Sequence, residues 1–341
     1  MERCAAIILA AAGEERMRST RPKPVHLLCG RPMVQWVIDA LRDVHADRVV
    51  VVVGDGAEQV TKKLTESAAD PRLVFAEQRS PRGSAETALV GLEVFAHDIG
   101  DDDLIVLPGN VPLLEPELVR AVQEHHREVG AAATVLGVPV DADSLFGRLV
   151  PGTSDDTVAR VAAGTGFHDP EWLGDGGVYC FRRSLLSPAI RRLRPDPRTG
   201  AYLLPHVIEV LTEAGHRVAV HRAGDALDVE PVDDRVQLAA AEAVIRERIN
   251  HAWMHRGVTM VDPTRTYVDS TVELAPDVTL FPGTMLQGST VVGAGAEVGP
   301  DTRLADCAVG ARARVEKTMG REAEVGEGCL LYTSPSPRDE D

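Results

Sequence analysis

The chain has 341 residues, 44% hydrophobic and 26% charged, with a formal net charge of −16. That length makes two domains the default, and the ordinary composition excludes a disordered or fibrous chain. The acidic balance disfavours non-specific adhesion to nucleic acid or to an anionic membrane, so an anionic ligand would need locally concentrated positive charge or a metal.

The first apolar run, "AAIILAAA" (5–12), reads as a buried strand that stops at a small-residue turn. The turn carries Gly13, Glu14 and Glu15 and opens into Arg16, Arg18, Arg21 and Lys23, a concentration of cations suited to phosphates. "MVQWVIDALRDV" (33–44) has a helical pattern. It is followed by "RVVVVVGDG" (48–56) and "RLVFAEQ" (72–78) as strands, "AETALVGLEVFA" (85–96) as a helix and "DLIVLPGN" (103–110) as a strand. Strand then helix, repeated, implies an α/β domain with a mostly parallel sheet, whose ligands sit beyond the carboxyl ends of the strands. The opening loop and the "PGN" after Leu107 both lie at such an end.

Several features have ordinary readings. "GDGAEQV" lacks the third glycine of a dinucleotide fingerprint, with Gln59 in its place. Asp101–Asp103 reads as a solvated turn entering a strand. Arg18, Arg21, Arg191, Arg192 and Arg194 read as surface charges, and Trp36 and Trp253 as helix packing residues. His26, His206 and His255 have no clustered spacing. Asn110 before Val-Pro, taken alone, is a turn residue.

Residues 236–256 form one long helical pattern with Gly257 as its stop signal. Beyond it the period changes. Val268, Leu274, Leu280, Leu286, Val292, Val298 and Leu304 recur every six residues. Four residues after each stand Val272, Val278, Thr284, Thr290, Ala296, Thr302 and Ala308, all small or β-branched. This repeat predicts a parallel β-helix with aliphatic side chains stacked inward. It slips by one residue to Val309 and Val315 and fails before Val325. The tail, "LLYTSPSPRDED", has nothing to stack, so residues 332–341 are expected to be disordered and foreign to the native protein, as in a truncated gene product. Five scattered cysteines without C-x-x-C spacing read as reduced thiols of a cytoplasmic protein, with neither a disulfide framework nor a zinc site. No apolar run reaches the roughly 18 residues of a membrane span, and "MERC" lacks the order of a secretion signal.

This combination resembles the bifunctional N-acetylglucosamine-1-phosphate uridylyltransferase / glucosamine-1-phosphate N-acetyltransferase family from residue 5 to about 330. The matching segments are the opening loop, "RPMVQWVIDAL" (31–41), "AEQRSPRGSAETAL" (76–89), "GNVPLL" (109–114), "FGRLV" (146–150) and "VEPVDDRVQLAAAE" (229–242), in the family's order. The resemblance implies a Rossmann-like nucleotidyltransferase domain at 1–235, a linker helix at 236–257 and a truncated left-handed β-helix at 258–331. It also implies a homotrimer assembled through the β-helix. The implied reaction is UTP plus N-acetylglucosamine 1-phosphate giving UDP-N-acetylglucosamine and pyrophosphate, dependent on Mg²⁺.

By resemblance, Arg16 and Lys23 are the phosphate-binding, catalytic cations. Leu9, Ala10, Ala12, Gly13, Gln78, Gly83 and Ser84 contact the nucleotide, Gly147 and Asp175 the sugar phosphate, and Asn110 and Asp233 the metal. The chain also departs from the family. Its loop is L-A-A-A-G-E-E-R-M where the family has L-A-A-G-x-G-T-R-M, which puts two carboxylates where backbone N–H groups and a hydroxyl would meet phosphate. The acid and the amide at the metal are exchanged. Ala163 and Asp175 replace a glutamate and an asparagine on the acceptor side. A different sugar or base, or a catalytically weak nucleotide-binding or assembly relative, are the alternatives. Acetyl transfer, which uses later coils in the family, is expected to be absent.

Overall fold

Cys4–Ala10 (β1), Arg48–Val53 (β2), Leu73–Glu77 (β3) and Asp103–Pro108 (β4) are strands of one sheet. Two of them explain their unbroken apolar sequence. In β1, Cys4, Ala6, Ile8 and Ala10 face one buried cluster while Ala5 and Ile7 face another. In β2, Val49, Val51 and Val53 join the first cluster, and Val50 and Val52 the second. Alternate residues point to opposite faces, so a sheet covered on both sides selects an apolar residue at every position. Each buried Val or Ile contributes about 1.5–3 kcal/mol relative to its exposed state.

The computed structural model describes residues 4–11, 15–67, 70–79, 82–96, 102–140, 146–154, 156–162 and 173–332, without the side chains of Glu15 and Ser67. The expectations for Ala12, Gly13, Glu14, Asp101, Ala163 and the end of the tail fall outside these residues. The chain divides into two compact units, one of residues 1–26 and 32–237 and the other of residues 27–31 and 238–341.

The first unit is completed by Ala133–Pro139 (β5), Arg148–Pro151 (β6), Val158–Ala162 (β7), Leu173–Arg182 (β8) and Val218–Arg222 (β9). The strand order is β9-β5-β8-β4-β1-β2-β3, with β6 paired to β8 and β7. β1 lies parallel to β2 and β4, β2 to β3, and β5 to β9, whereas β8 runs antiparallel between β4 and β5. This is the Rossmann-like, mostly parallel arrangement. Its helices are Met33–Asp39 (α1), Ala57–Ser67 (α2), Ser84–Glu93 (α3), Pro116–Val129 (α4), Arg183–Ile190 (α5) and Val207–Glu213 (α6). α1 is shorter than its sequence pattern: it gives way to a 3-10 turn at Arg42–Val44, followed by His45 in the left-handed region. α4 has both of its ends marked in the sequence, with Pro116 in its first turn and Gly130 at φ +59° after its last.

Arg235–His255 (α7) is the long helix, followed by Gly257 at φ +92°. The second unit then winds as a left-handed β-helix of three parallel stacks of short strands. Val268 pairs with Leu286 and Leu286 with Leu304, while Leu280 pairs with Val298. All seven aliphatic positions of the repeat are buried, from Val268 to Leu304. The companion threonines are buried too and stay satisfied. Thr284 Oγ1 donates to the carbonyls of Phe281 (2.7 Å) and Val298 (3.0 Å), and Thr290 Oγ1 to that of Gln287 (2.7 Å).

Two expectations need correction here. Ala308 is exposed, and Cys307 occupies the inward place instead. The reason is that this turn is one residue shorter than those before it, so Val309 pairs with Val292. Nor does the repeat fail before Val325, and strand pairing continues to Leu331, the end expected for the coil. Gly320 opposite Leu304 is a gap in the inward row, but Val325 pairs with Val309 and Leu331 with Val315. No helix among the described residues is long and apolar enough to cross a membrane.

Candidate active site

Leu9 of β1 pairs with Pro108 of β4, so these parallel strands end at the same level. The chain leaving β4 must cross close over β1. The Gly109 N–H donates to the Leu9 carbonyl at 2.9 Å, and a Cβ on Gly109 would lie 3.0 Å from the Ala10 Cα. Glycine permits that approach and delivers Asn110 to the top of the sheet. The Asn110 carbonyl accepts from the Val232 N–H at 2.8 Å, which draws in the loop carrying Asp233 and Asp234.

Four ionised side chains and one amide meet there. Asp233 Oδ1 accepts from Lys23 Nζ at 3.0 Å and from Asn110 Nδ2 at 2.9 Å. Arg16 reaches Asp233 Oδ2 at 3.5 Å and Asp234 Oδ2 at 3.2 Å. Burial differs sharply between the cations, since the Lys23 side chain is 8% exposed and that of Arg16 60%. A lysine so enclosed needs a counter-charge, which Asp233 supplies. Asp234 also caps α7, accepting the N–H groups of Val236 (3.0 Å) and Gln237 (2.9 Å). Those backbone donors, chiefly that of Gln237, hold its carboxyl below the ordinary value, with Arg16 adding to the effect.

Beside this junction lies a cavity of about 410 Å³, lined among others by Leu9, Gly83, Ser84, Asn110, Asp175 and Tyr179. Gly83 precedes α3 at φ +117°, and a Cβ there would stand 2.3 Å from the Tyr202 carbonyl oxygen. Neither the backbone angle nor the space admits a side chain. Ser84 Oγ accepts from the Leu204 N–H at 2.9 Å. Gln78 is buried but does not line the cavity. Its Oε1 accepts from Thr87 Oγ1 at 2.7 Å and its Nε2 donates to Glu86 Oε2 at 3.4 Å. Arg82 in turn holds the Glu86 carboxyl below its ordinary value.

Asp175 forms the opposite wall. Its N–H donates to the Gly147 carbonyl at 2.7 Å, and this is how Gly147, which does not itself line the cavity, bears on the site. Asp175 Oδ1 accepts from the Gly177 N–H (3.0 Å) and Oδ2 from the Tyr179 hydroxyl (2.5 Å). An irregularity of register between Asp175 and Tyr179 lets the strand turn its own N–H back onto the carboxylate. Burial pushes the Asp175 carboxyl up, and these two hydrogen bonds pull the other way.

Of the residues nominated from sequence, Leu9, Gly83, Ser84, Asn110 and Asp175 therefore share one cavity. Arg16, Lys23 and Asp233 share the adjoining charged junction, and Ala10 packs beneath Gly109. Tyr179, Thr87 and Asp234 were not nominated. Asp234 had a readable signal, an aspartate immediately ahead of a helix; Tyr179 had only its even spacing from Asp175 along a strand.

The reading of the Asp101–Asp103 run as solvated is corrected for its described members. Asp102 pairs with Arg183 at 3.3 Å. Asp103 pairs with Arg127 and approaches His126 and Cys180, with ligand atoms within 4.8 Å of one another, at the far end of β4 from the cavity.

Comparisons with known proteins agree with this geometry. A family model described as a MobA-like NTP transferase domain matches residues 6–206. The bifunctional protein GlmU of Streptomyces avermitilis is 37% identical over 98% of this chain and 71% of its own length. That of Halalkalibacterium halodurans is 34% identical over 94% of this chain and 70% of its own. Among solved structures, a CMP:2-keto-3-deoxy-manno-octonic acid synthetase complexed with CTP superposes with a TM-score of 0.56 at 19% identity, covering 72% of this chain and 99% of that one. A nucleoside-diphosphate-sugar pyrophosphorylase from Vibrio cholerae RC9 gives 0.50 at 18% identity, covering 64% and 91%. At such identities the structural likeness speaks for the fold alone.

Proposed function

Since the chain belongs to the family of bifunctional GlmU proteins and carries a MobA-like NTP transferase domain, we propose that it transfers the uridylyl group of UTP to a hexosamine 1-phosphate. N-acetylglucosamine 1-phosphate is the acceptor that the family resemblance suggests. The phosphate oxygen of the sugar attacks the α-phosphorus, the bond to the bridging oxygen breaks, and pyrophosphate leaves. The observation that carries this reading is the junction of Arg16, Lys23, Asn110 and Asp233 at the carboxyl ends of β1 and β4, beside a cavity large enough for a sugar.

Charge balance decides how the junction could work. Arg16 and Lys23 stand against Asp233 and Asp234, so their formal charges cancel and offer no net attraction to a triphosphate. Asn110 and Asp233 provide hard oxygen donors, an amide carbonyl and a carboxylate, from adjacent side chains. That donor chemistry fits Mg²⁺, which keeps several waters and takes few protein ligands. Asn110 and Asp233 would hold such a divalent cation, which would supply charge neutralisation for the phosphates and for the leaving pyrophosphate. Lys23, buried and fixed by Asp233, is placed to orient a phosphate group, and exposed Arg16 to swing onto it. Gly83 and Ser84, at the start of α3, line the cavity on the side assigned to the nucleotide. Assembly as a homotrimer through the β-helix accompanies this reading.

Pyrophosphate release from UTP and N-acetylglucosamine 1-phosphate, with Mg²⁺ and with chelator, tests the proposal. Release that requires all three components is expected. UTP binding with no turnover of any sugar 1-phosphate would leave only a nucleotide-binding module. Another acceptor is a second reading favoured by one observation, the carboxylate of Asp175 in the cavity wall.

A further inference from the structure

We propose that Asp103, His126 and Cys180 form a zinc site, separate from the cavity and at the opposite end of β4. Among the described residues they are the one group of three His, Cys, Asp or Glu side chains whose ligand atoms all lie within 4.8 Å of one another. Spacing along the chain gives no hint of it, because each ligand comes from a different element. Asp103 is the first residue of β4, His126 lies in the last turn of α4, and Cys180 belongs to β8. Packing brings them together. β8 runs antiparallel beside β4, with Arg182 opposite Asp103 and Cys180 opposite Ile105. Cys180 faces the buried cluster that α4 covers through Val119 and Val122.

The donors are presented as a metal would take them. Burial lowers the His126 imidazole, which favours its neutral form. Its Nδ1 lies 3.0 Å from Thr134 Oγ1, which can accept the Nδ1 proton and leave the Nε2 lone pair for an ion. Nε2 faces Asp103 Oδ1 at 3.9 Å, too far for a hydrogen bond. Two ligand atoms on a tetrahedral zinc ion, with bonds of about 2.0–2.1 Å, stand roughly 3.4 Å apart, so a small inward shift closes the difference. The other oxygen of Asp103 is held by Arg127 Nε, which fixes the direction of the carboxylate. Gln123, one turn before His126 on α4, is buried, and its Nε2 has no hydrogen-bond partner among the described residues. Its amide favours ionisation of the neighbouring Cys4 thiol, on the same face of the sheet as Cys180. A donor left unpaired there is one that a metal-bound water would satisfy.

The donor set selects the ion. One sulfur, one nitrogen and one oxygen suit borderline-soft Zn²⁺, whereas Mg²⁺ takes oxygen. On binding, the Cys180 S–H bond breaks, the sulfur gives its electron pair to zinc and the proton leaves to water; a water fills the fourth position. Burial, Asp103 and Cys4 push that thiol up, and Arg127 and Arg182 near the imidazole oppose a cation. The ion works against both, as it does wherever a coordinating thiol yields its proton to zinc.

The test uses the full, untagged chain stripped of metal by chelator, with excess Mg²⁺ present. Cobalt(II), a coloured stand-in for zinc, should bind one per chain and give a sulfur-to-cobalt charge-transfer band that added Zn²⁺ bleaches. Asn110 and Asp233 offer no sulfur, so the band reports this site alone. Zn²⁺ at about 100 times its Kd should raise the melting temperature by roughly 5 °C. Cys180→Ser should abolish the band, and His126→Gln should weaken binding at least about tenfold. Cys329→Ser, which removes the exposed thiol, should change neither. No binding, binding without the band, or a band that survives Cys180→Ser would overturn the proposal. So would loss of the band in Cys329→Ser, the mark of an ion held adventitiously at the surface. If Cys180→Ser fails to fold, the wild-type band and its response to His126→Gln decide.

Discussion

Strand length separates the two units: β1 has seven residues, and the coil strand Thr279–Leu280 has two. In the sheet unit, long strands bury both faces and leave their ends and connecting loops without a structural duty at every position. Residues such as Asn110, Asp233 and Asp175 collect there, held by hydrogen bonds rather than by repetition. In the coil unit each short strand from Tyr267–Val268 to Arg314–Val315 buries an aliphatic residue and buried threonines stand in several of the turns between them, so nearly every step of the repeat is committed to stacking. The comparison teaches that regularity carries stability and departures from it carry chemistry.

Substitutions should separate the two roles. Lys23→Ala is expected to lower kcat for pyrophosphate release by roughly 10²–10³-fold, because a preorganised cation at the phosphates is lost, with little change in melting temperature. A large drop in stability with kcat intact would place Lys23 on the structural side. Leu280→Ala should do the opposite: a fully buried coil residue leaves a cavity costing about 2–5 kcal/mol in denaturant unfolding. An unaltered denaturation midpoint would mean the stacked row does not carry the coil. Thr284→Val removes the one hydroxyl proton shared between two carbonyls while keeping the shape, and about 1 kcal/mol of lost stability is expected. A neutral or stabilising outcome would show that aliphatic stacking alone specifies the turn.

The smallest effect concerns pH. Burial lowers the His126 imidazole below its ordinary 6.5, Asp103 opposing, and Thr134 Oγ1 stands 3.0 Å from Nδ1. His26 and His221 are lowered for the same main reason. The folded state therefore resists protonation that the unfolded state accepts. The stability contributed by the neutral imidazole is complete above the ordinary value and is lost as pH falls through the lowered one. Unfolding of the metal-free chain at about pH 7.5 and about pH 5.5 should show a loss on acidification that His126→Gln reduces. An unchanged slope in the variant would assign the acid sensitivity to the other histidines.

Much of the fold was legible because it is written in periods. The uniform valines of β2 announced a strand buried on both faces, and the six-residue spacing from Val268 to Leu304 announced the coil. The one-residue slip to Val309 was legible as well, but that it turns Cys307 inward in place of Ala308 has no signal in residue type, since both are small. The gap at Gly320 hid the return of stacking at Val325 in the same way. At the candidate site, family spacing brought Arg16, Lys23, Asn110 and Asp233 to attention. That Asp234 shares Arg16, that Gln78 turns its polar atoms toward α3, and that Tyr179 donates to Asp175 all depend on side-chain direction, which one sequence does not encode by spacing.

The unequal exposure of the two cations on Asp233 has a consequence for ionic strength. Added salt screens charges that water reaches and scarcely touches those it does not. Arg16 would be loosened from both aspartates by counterions at concentrations that leave Lys23 on Asp233 undisturbed. The junction thus has a soft arm and a hard one, and the salt of its surroundings sets how far the soft arm is already extended when an anion arrives.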